Sequence, residues 1–80
     1  MKVFNIRFRF RNSTHLANVC FSNAVDGYTI YFTDVELILE FGGKASYNKT
    51  YGLRFLKAGK DSEMLKNIIM HQVEQLTTAA

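Results

Sequence analysis

The sequence predicts an α+β domain in which a small, curled antiparallel sheet of four to five strands packs against a C-terminal helix. Apolar and polar residues alternate in several short, consecutive segments, which is typical of the strands of a meander. Residues with turn chemistry separate these segments. The last twenty residues instead repeat their apolar positions at helical spacing. Residues 1–80 are therefore predicted to form one small domain.

The composition favours a globular cytoplasmic protein. Hydrophobic residues make up 48% of the 80 positions and charged residues 21%, which is normal for a folded domain. Cys20 is the single cysteine, so an intramolecular disulfide is excluded. No apolar run has the length of a signal-peptide core or of a membrane span. We therefore expect no association with a membrane.

The first strand is predicted over residues 3–11, which read VFNIRFRFR. Arg7, Arg9 and Arg11 occupy alternate positions of this segment. Because successive side chains of a strand point to opposite faces, these arginines are expected on the outer face of the sheet. The other face is then apolar and mostly aromatic, with Phe4, Ile6, Phe8 and Phe10.

Two further strands are predicted from the same alternation. The polar cluster Asn12-Ser13-Thr14 ends the first strand, and a second runs from about Leu16 to Val25. Asp26-Gly27 then predicts a tight two-residue hairpin, because a type I′ turn requires positive φ at both positions. The third strand, Tyr28 to Phe32, is expected to point Tyr31 outward beside the arginines.

Residues 33–43 support two interpretations. Val35, Leu37, Leu39 and Phe41 alternate with polar or charged residues at most of the intervening positions, as in a fourth strand. The run from Thr33 to Glu36 also fits a capping box, and Gly42 then fits the C-cap of a helix of about two turns. The two are almost equally supported, with the short helix near 34–41 slightly favoured.

The remaining elements follow a break at Gly42-Gly43. A short edge strand is expected around Ala45 to Tyr47, and a last strand from Tyr51 to Lys57 points Arg54 outward. A helix from about Ser62 to Leu76 closes the chain. Its buried stripe is predicted to be Leu65, Ile68, Ile69, Val73 and Leu76.

The apolar face of this sheet needs more cover than one helix provides. All seven phenylalanines can point to the same side of the sheet, whereas one helix spans roughly three strands. A curled sheet, the 34–41 helix or a second copy of the chain would supply the cover. A homodimer is therefore one of the predicted alternatives.

No pattern of catalytic or metal-binding residues stands out. His15 is assigned to a turn and His71 to a helix, and neither has a neighbour at the spacing of a metal site. Cys20 lacks the local signature of a thiol nucleophile and is expected to be a half-buried strand residue. We therefore predict no enzymatic activity, no metal and no cofactor.

The charges fall in blocks. Residues 1–11 and 44–60 contain basic but no acidic residues, whereas residues 12–43 contain acidic residues and no Lys or Arg. One interpretation is that the acidic block neutralises the basic ones, with Glu36 and Glu40 pairing with the arginines. The other is that the basic blocks converge on one face that binds an anionic partner. The first interpretation is moderately favoured.

The functional hypothesis is a small stand-alone protein-interaction module. Arg7, Arg9, Arg11, Tyr31 and Arg54 are the predicted partner-binding residues, since arginine and tyrosine are enriched at interface hot spots. An adaptor, an antitoxin or immunity-type protein, or a phage-type inhibitor of a larger protein would fit this description. The alternative is a single-stranded nucleic-acid-binding protein, because alternate strand residues about 6.6–6.8 Å apart approach the spacing of phosphates.

Overall fold

A computed structural model of the chain describes residues 3–21, 27–57 and 59–78, and the predicted α+β architecture is confirmed. Within these ranges the elements are β1 (Val3–Phe10), β2 (Ser13–Phe21), β3 (Gly27–Phe32), α1 (Val35–Phe41), β4 (Lys44–Asn48), β5 (Gly52–Phe55) and α2 (Ser62–Thr78). The five strands form one antiparallel meander in sequence order, so β1 and β5 are its edges. α2 contacts both edge strands, so the sheet curls around it without closing. β4, which the sequence placed at an edge, lies between β3 and β5.

The connection between β1 and β2 is tighter than predicted. Phe10 pairs with Ser13, and the two residues between them, Arg11 and Asn12, have φ values of 54° and 62°. Positive φ at both positions is the mark of a two-residue type I′ hairpin. The prediction that Arg11 ends the strand and that 12–14 forms the turn is therefore wrong. The side chain of Arg11, at the first position of this turn, forms several bonds that are described below.

The two-residue hairpin predicted at Asp26-Gly27 falls partly outside the described residues. Asp26 lies outside the described residues, as do residues 22–25 of the predicted second strand. The register in the described part pairs Tyr28 with Phe21, whereas a two-residue turn at Asp26-Gly27 would require Tyr28 to pair with Val25. This register contradicts a two-residue turn at Asp26-Gly27. Gly27 instead belongs to β3, where an added Cβ would lie 2.4 Å from the Tyr47 carbonyl oxygen.

The ambiguous segment forms the short helix, α1. Its N-cap is Asp34, whose carboxylate accepts a bond of 3.1 Å from the amide of Glu36. The predicted cap, Thr33, instead donates its hydroxyl to the Leu16 carbonyl oxygen, so the capping box is wrong. Asp34 takes the N-cap position because it directly precedes Val35, the first residue of the helix.

Gly42 ends α1, as predicted. It has φ 95°, and its amide donates to the carbonyl oxygen of Ile38. An added Cβ would lie 2.6 Å from Cβ of Leu56, so both backbone and packing favour glycine here. The helix buries Leu37 and Phe41, one turn apart, against the core.

The core lies between the inner face of the sheet and the two helices. In α2, Leu65, Ile69 and Val73 are buried while Ile68 and Leu76 are half-buried, which confirms the predicted stripe. The inner-facing phenylalanines do not contribute equally, since Phe4 at the start of β1 is 38% exposed. The buried sheet residues are Ile6, Phe8, Phe10, His15, Ala17, Val19, Ile30, Phe32, Ala45 and Leu53. Among the helices of the described residues, none is both long and apolar enough to cross a membrane.

Candidate functional site

The surface of the sheet opposite the helices, here called the outer face, is built by the strand register. Asn5, Asn18, Tyr31 and Lys44 are successive cross-strand partners, so their side chains form one row across four strands. A neighbouring row crosses all five strands and ends at Arg54. The outer-face side chains are those of Val3, Asn5, Arg7, Arg9, Thr14, Leu16, Asn18, Cys20, Thr29, Tyr31, Lys44, Ser46, Asn48 and Arg54.

Four of the five predicted partner-binding residues lie on the outer face. Arg7 and Arg9 project from β1, Tyr31 from β3 and Arg54 from β5. Arg11 does not join them, because it occupies the turn and its side chain bonds to α1 and to the segment before α2.

Lys44 also lies on the outer face, and the prediction of partner-binding residues did not include it. It opens β4 directly opposite Tyr31. The sequence contained a signal for it, since Lys44 alternates with the inward-facing Ala45 and Tyr47. Starting the predicted strand at Ala45 rather than at Lys44 removed it from consideration.

The charge of the outer face is entirely positive in the described residues. It carries Arg7, Arg9, Lys44 and Arg54 and no aspartate or glutamate. The ion pairs recorded in the described part of the chain involve other cations, namely Arg11, His15 and Lys66. The prediction that Glu36 and Glu40 neutralise the arginines is therefore wrong for Arg7 and Arg9. These side chains remain available to an external anion.

Apolar and aromatic groups lie among these cations. Tyr31 is 43% exposed near the centre of the outer face, and Leu16, beside Arg7, is 50% exposed. At the β5 edge the guanidinium of Arg54 lies 6.0 Å from the ring centroid of Tyr51. Arginine and tyrosine, the two residue types exposed together here, are both enriched at protein interfaces.

Arg11 has a structural role instead. Its Nη1 and Nη2 donate to the two carboxylate oxygens of Glu40, each at 2.6 Å, and Nη2 also donates to the Lys60 carbonyl oxygen at 2.8 Å. Asp61 adds a weaker contact, 3.6 Å from Nε. The hydrogen bond from Arg11 lowers the pKa of Glu40, and the same bond raises the pKa of Arg11. Arg11 therefore ties the β1–β2 turn to α1 and to the start of α2.

His15 also differs from its prediction as a turn residue. It lies in β2, 5% exposed, with Nδ1 2.5 Å from a carboxylate oxygen of Asp34 and Nε2 3.2 Å from the Phe10 carbonyl oxygen. Both partners are acceptors, so the two bonds form together only when both ring nitrogens carry protons. The bond from His15 lowers the pKa of Asp34. Because this aspartate is the N-cap of α1, His15 links β2 to the start of the helix.

A groove lies between side chains of β1 and α2 where these elements meet, and we call it the β1–α2 groove. It has a volume of about 650 Å³. Arg7 and Arg9 of β1, with Thr14 of β2, form one wall, and α2 forms the other with Asn67, Ile68, His71 and Gln72. Sequence patterns missed this groove because the residues of its two walls are about sixty positions apart, and periodicity within one element does not show how it meets another.

The described residues contain no group of three or more histidines, cysteines, aspartates or glutamates placed to hold a metal ion. A scan against protein-family models, a search of curated proteins and a search of solved structures each found no match.

Proposed function

We propose that this chain is a small, non-catalytic protein-interaction module whose outer face binds an acidic surface of another protein. The observation that carries the proposal is a face with four cations and, among the described residues, no carboxylate. A partner that presents carboxylates to Arg7 and Arg9 would supply the missing counter-charges. An adaptor or an inhibitor of a larger cytoplasmic protein would work in this way.

The centre of the outer face supports a protein partner. Tyr31 and Leu16 provide exposed apolar area, and Asn18 next to them provides a polar side chain for hydrogen bonding. Arginine and tyrosine supply much of the binding energy at protein interfaces because each combines a large contact area with directed hydrogen bonds.

A non-catalytic role is supported by the chemistry of the reactive side chains. His15 has both ring nitrogens within hydrogen-bonding distance of acceptors and is buried. Cys20 is a half-buried thiol on the outer face, where its cross-strand neighbours are Val3 and Thr29. In the described part of the chain, Nε2 of His15 faces the Phe10 carbonyl oxygen and not a nucleophile, and the cross-strand neighbours of Cys20 supply no base.

A second candidate is single-stranded nucleic acid, and one observation favours it. Tyr31 is exposed beside Lys44, on the same face as Arg7 and Arg9. An exposed ring among cations can stack with an unpaired base while the cations contact phosphates. Binding of this kind weakens steeply with salt.

A matched pair of charge reversals tests the proposal. Arg7→Glu changes an outer-face arginine that forms no ion pair with another described residue, and Lys49→Glu introduces the same charge change in the β4–β5 turn. Both proteins, with the wild type, serve as baits in an extract of the source cell. A captured protein is then purified and its affinity for each bait is measured. We expect Arg7→Glu to lose the partner and Lys49→Glu to keep it.

The same three proteins are titrated with an oligothymidylate of about eight nucleotides, a length within the usual range for one small domain. If the wild type binds the oligonucleotide in a salt-dependent way and Arg7→Glu does not, the ligand of the outer face is single-stranded nucleic acid and not a protein. If Arg7→Glu retains every protein and nucleic-acid affinity, neither function uses the outer face.

A further inference from the structure

We propose that the β1–α2 groove receives an extended acidic peptide segment, which pairs with the free edge of β1 and adds a strand to the sheet. This inference rests on the proposed function and specifies the partner's chemistry and conformation. Arg7 and Arg9 belong to both the outer face and the groove, so one partner can contact both surfaces.

β1 is the better of the two free edges for strand addition. It runs over 8 residues, whereas β5 at the opposite edge has 4. In the described part of the chain, the backbone hydrogen bonds recorded between separate elements do not involve residues 3–10. An edge strand presents outward amide and carbonyl groups at alternate residues, and these can pair with an added chain.

The opposite wall of the groove can contact the side chains of an added strand. Ile68 is half-buried and apolar, whereas Asn67 and His71 are exposed and can form hydrogen bonds. A groove between an edge strand and a helix is a recurrent way to bind extended peptides. Backbone pairing then provides affinity, and contacts to alternate side chains provide specificity.

The charge of the groove identifies the segment as acidic. Arg7 and Arg9 are alternate residues of β1, about 6.6–6.8 Å apart along a strand. Carboxylates at alternate positions of an added strand have the same repeat and would face these two guanidinium groups. The cross-strand pairing of opposite charges is favourable, whereas that of like charges is unfavourable.

A second copy of the chain fits the same edge less well. Two β1 strands related by a two-fold axis pair antiparallel, and side chains of the same face then lie opposite each other. In a register that pairs most of β1 with its copy, Arg7 of one copy would lie opposite or diagonal to Arg7 of the other. This repulsion opposes self-pairing and favours a partner of opposite charge.

The test uses the full chain labelled with ¹⁵N and a capped peptide of about eight residues that alternates glutamate and valine, long enough to span β1. We expect amide shifts over β1 and the groove wall of α2, and slower hydrogen exchange at alternate amides of β1. Two control peptides replace glutamate by lysine or place proline at the central valine. Neither should bind comparably, because the first reverses the charge and the second removes a backbone donor.

A matched pair of variants in α2 separates the groove from the outer face. Asn67→Glu adds a negative charge to the groove wall, and Met70→Glu adds the same charge at an exposed position of α2 that does not line the groove. We expect Asn67→Glu to weaken peptide binding about tenfold or more, because like charges across an interface oppose association. Met70→Glu should bind as the wild type does.

The proposal of peptide binding in the groove is contradicted by any of three results. The acidic peptide leaves the amide shifts of β1 unchanged, the proline peptide binds equally well, or Asn67→Glu and Met70→Glu bind the acidic peptide with the same affinity. These failures differ from failure of the proposed function. If the proposed function itself were wrong, Arg7→Glu would also retain the protein partner captured from the extract.

Discussion

Arg11 and Glu40 form a bidentate pair in which each terminal guanidinium nitrogen donates to a different carboxylate oxygen, at 2.6 Å in both bonds. The pair joins the β1–β2 turn to α1 across 29 positions of sequence. It also removes Arg11 from the row of arginines that the sequence predicted. Replacing Arg7, Arg9 and Arg11 together would therefore mix a binding effect with loss of a structural contact.

The first prediction separates these roles. Arg11→Ala should lower the thermal midpoint, because it removes the bonds to Glu40 and to the Lys60 carbonyl oxygen. Arg7→Ala should leave the midpoint almost unchanged, within about 0.5 kcal/mol of unfolding free energy, as for most surface substitutions. Circular dichroism melts compare the two variants. Equal midpoints would show that the Arg11 cluster contributes nothing to stability.

The second prediction concerns acid. The folded state lowers the pKa of Glu40 and of Asp34, through hydrogen bonds from Arg11 and His15 respectively. Carboxylates with a lowered folded-state pKa stabilise the protein above their unfolded pKa of about 4, and this contribution is lost as the pH falls through the folded value. Stability should therefore decline below about pH 4, and less so in Glu40→Gln. Denaturant titrations at several pH values measure the decline, and identical slopes would contradict it.

The third prediction concerns alkali. Burial raises the pKa of Tyr28 to about 12, with a smaller contribution from Tyr47, whose ring stacks on it at 4.6 Å. A raised tyrosine pKa means that stability is complete below the unfolded pKa of about 10 and is lost as the pH rises toward the folded value. Tyr28→Phe should remove the part of this decline that is due to Tyr28. Tyrosinate absorbance should show one group fewer titrating near pH 12 in the variant.

The fourth prediction tests whether α2 closes the core. Ile69 is completely buried, so Ile69→Ala should cost about 2–5 kcal/mol through lost contacts and a residual cavity. Met64, 55% exposed on the same helix, is the control, and Met64→Ala should change the free energy of unfolding by less than about 0.5 kcal/mol. Chemical denaturation measures both values. Similar small losses would indicate that α2 is an appendage of the sheet.

The homodimer predicted from the sequence stays a prediction. It was predicted because one helix cannot cover the apolar face of the sheet. In the structure, the curl of the sheet and α1 also cover this face. Sedimentation at tens of micromolar distinguishes a 9.2 kDa chain from a species of twice that mass.

Sequence periodicity predicted the elements well because it records which side of each element is buried. The alternation in β1 and the stripe on α2 both reflect burial that the structure contains. α1 remained ambiguous because seven residues are too few to separate a period of two from one of 3.6. The hydrogen bonds of Thr33 to Leu16 and of Arg11 to Glu40 are long-range, so no local pattern could indicate them.

The candidate site was predicted where it depends on strand alternation and missed where it depends on topology. Arg7, Arg9, Tyr31 and Arg54 share the outer face because each occupies an outward position of its own strand. The β1–α2 groove exists only because α2 returns to the first strand. His15 was assigned to a turn because the hairpin turn ends at Asn12, two residues earlier than the polar cluster 12–14 suggested.

The central claim, that unpaired cations of the outer face bind an acidic partner, is tested most directly by the affinity of a purified captured protein for Arg7→Glu and Lys49→Glu. The two variants have the same net charge, so a general electrostatic effect would alter both equally. We expect Arg7→Glu to bind at least about tenfold more weakly than the wild type, and Lys49→Glu within about twofold of it. Equal affinities for the two variants would contradict the account.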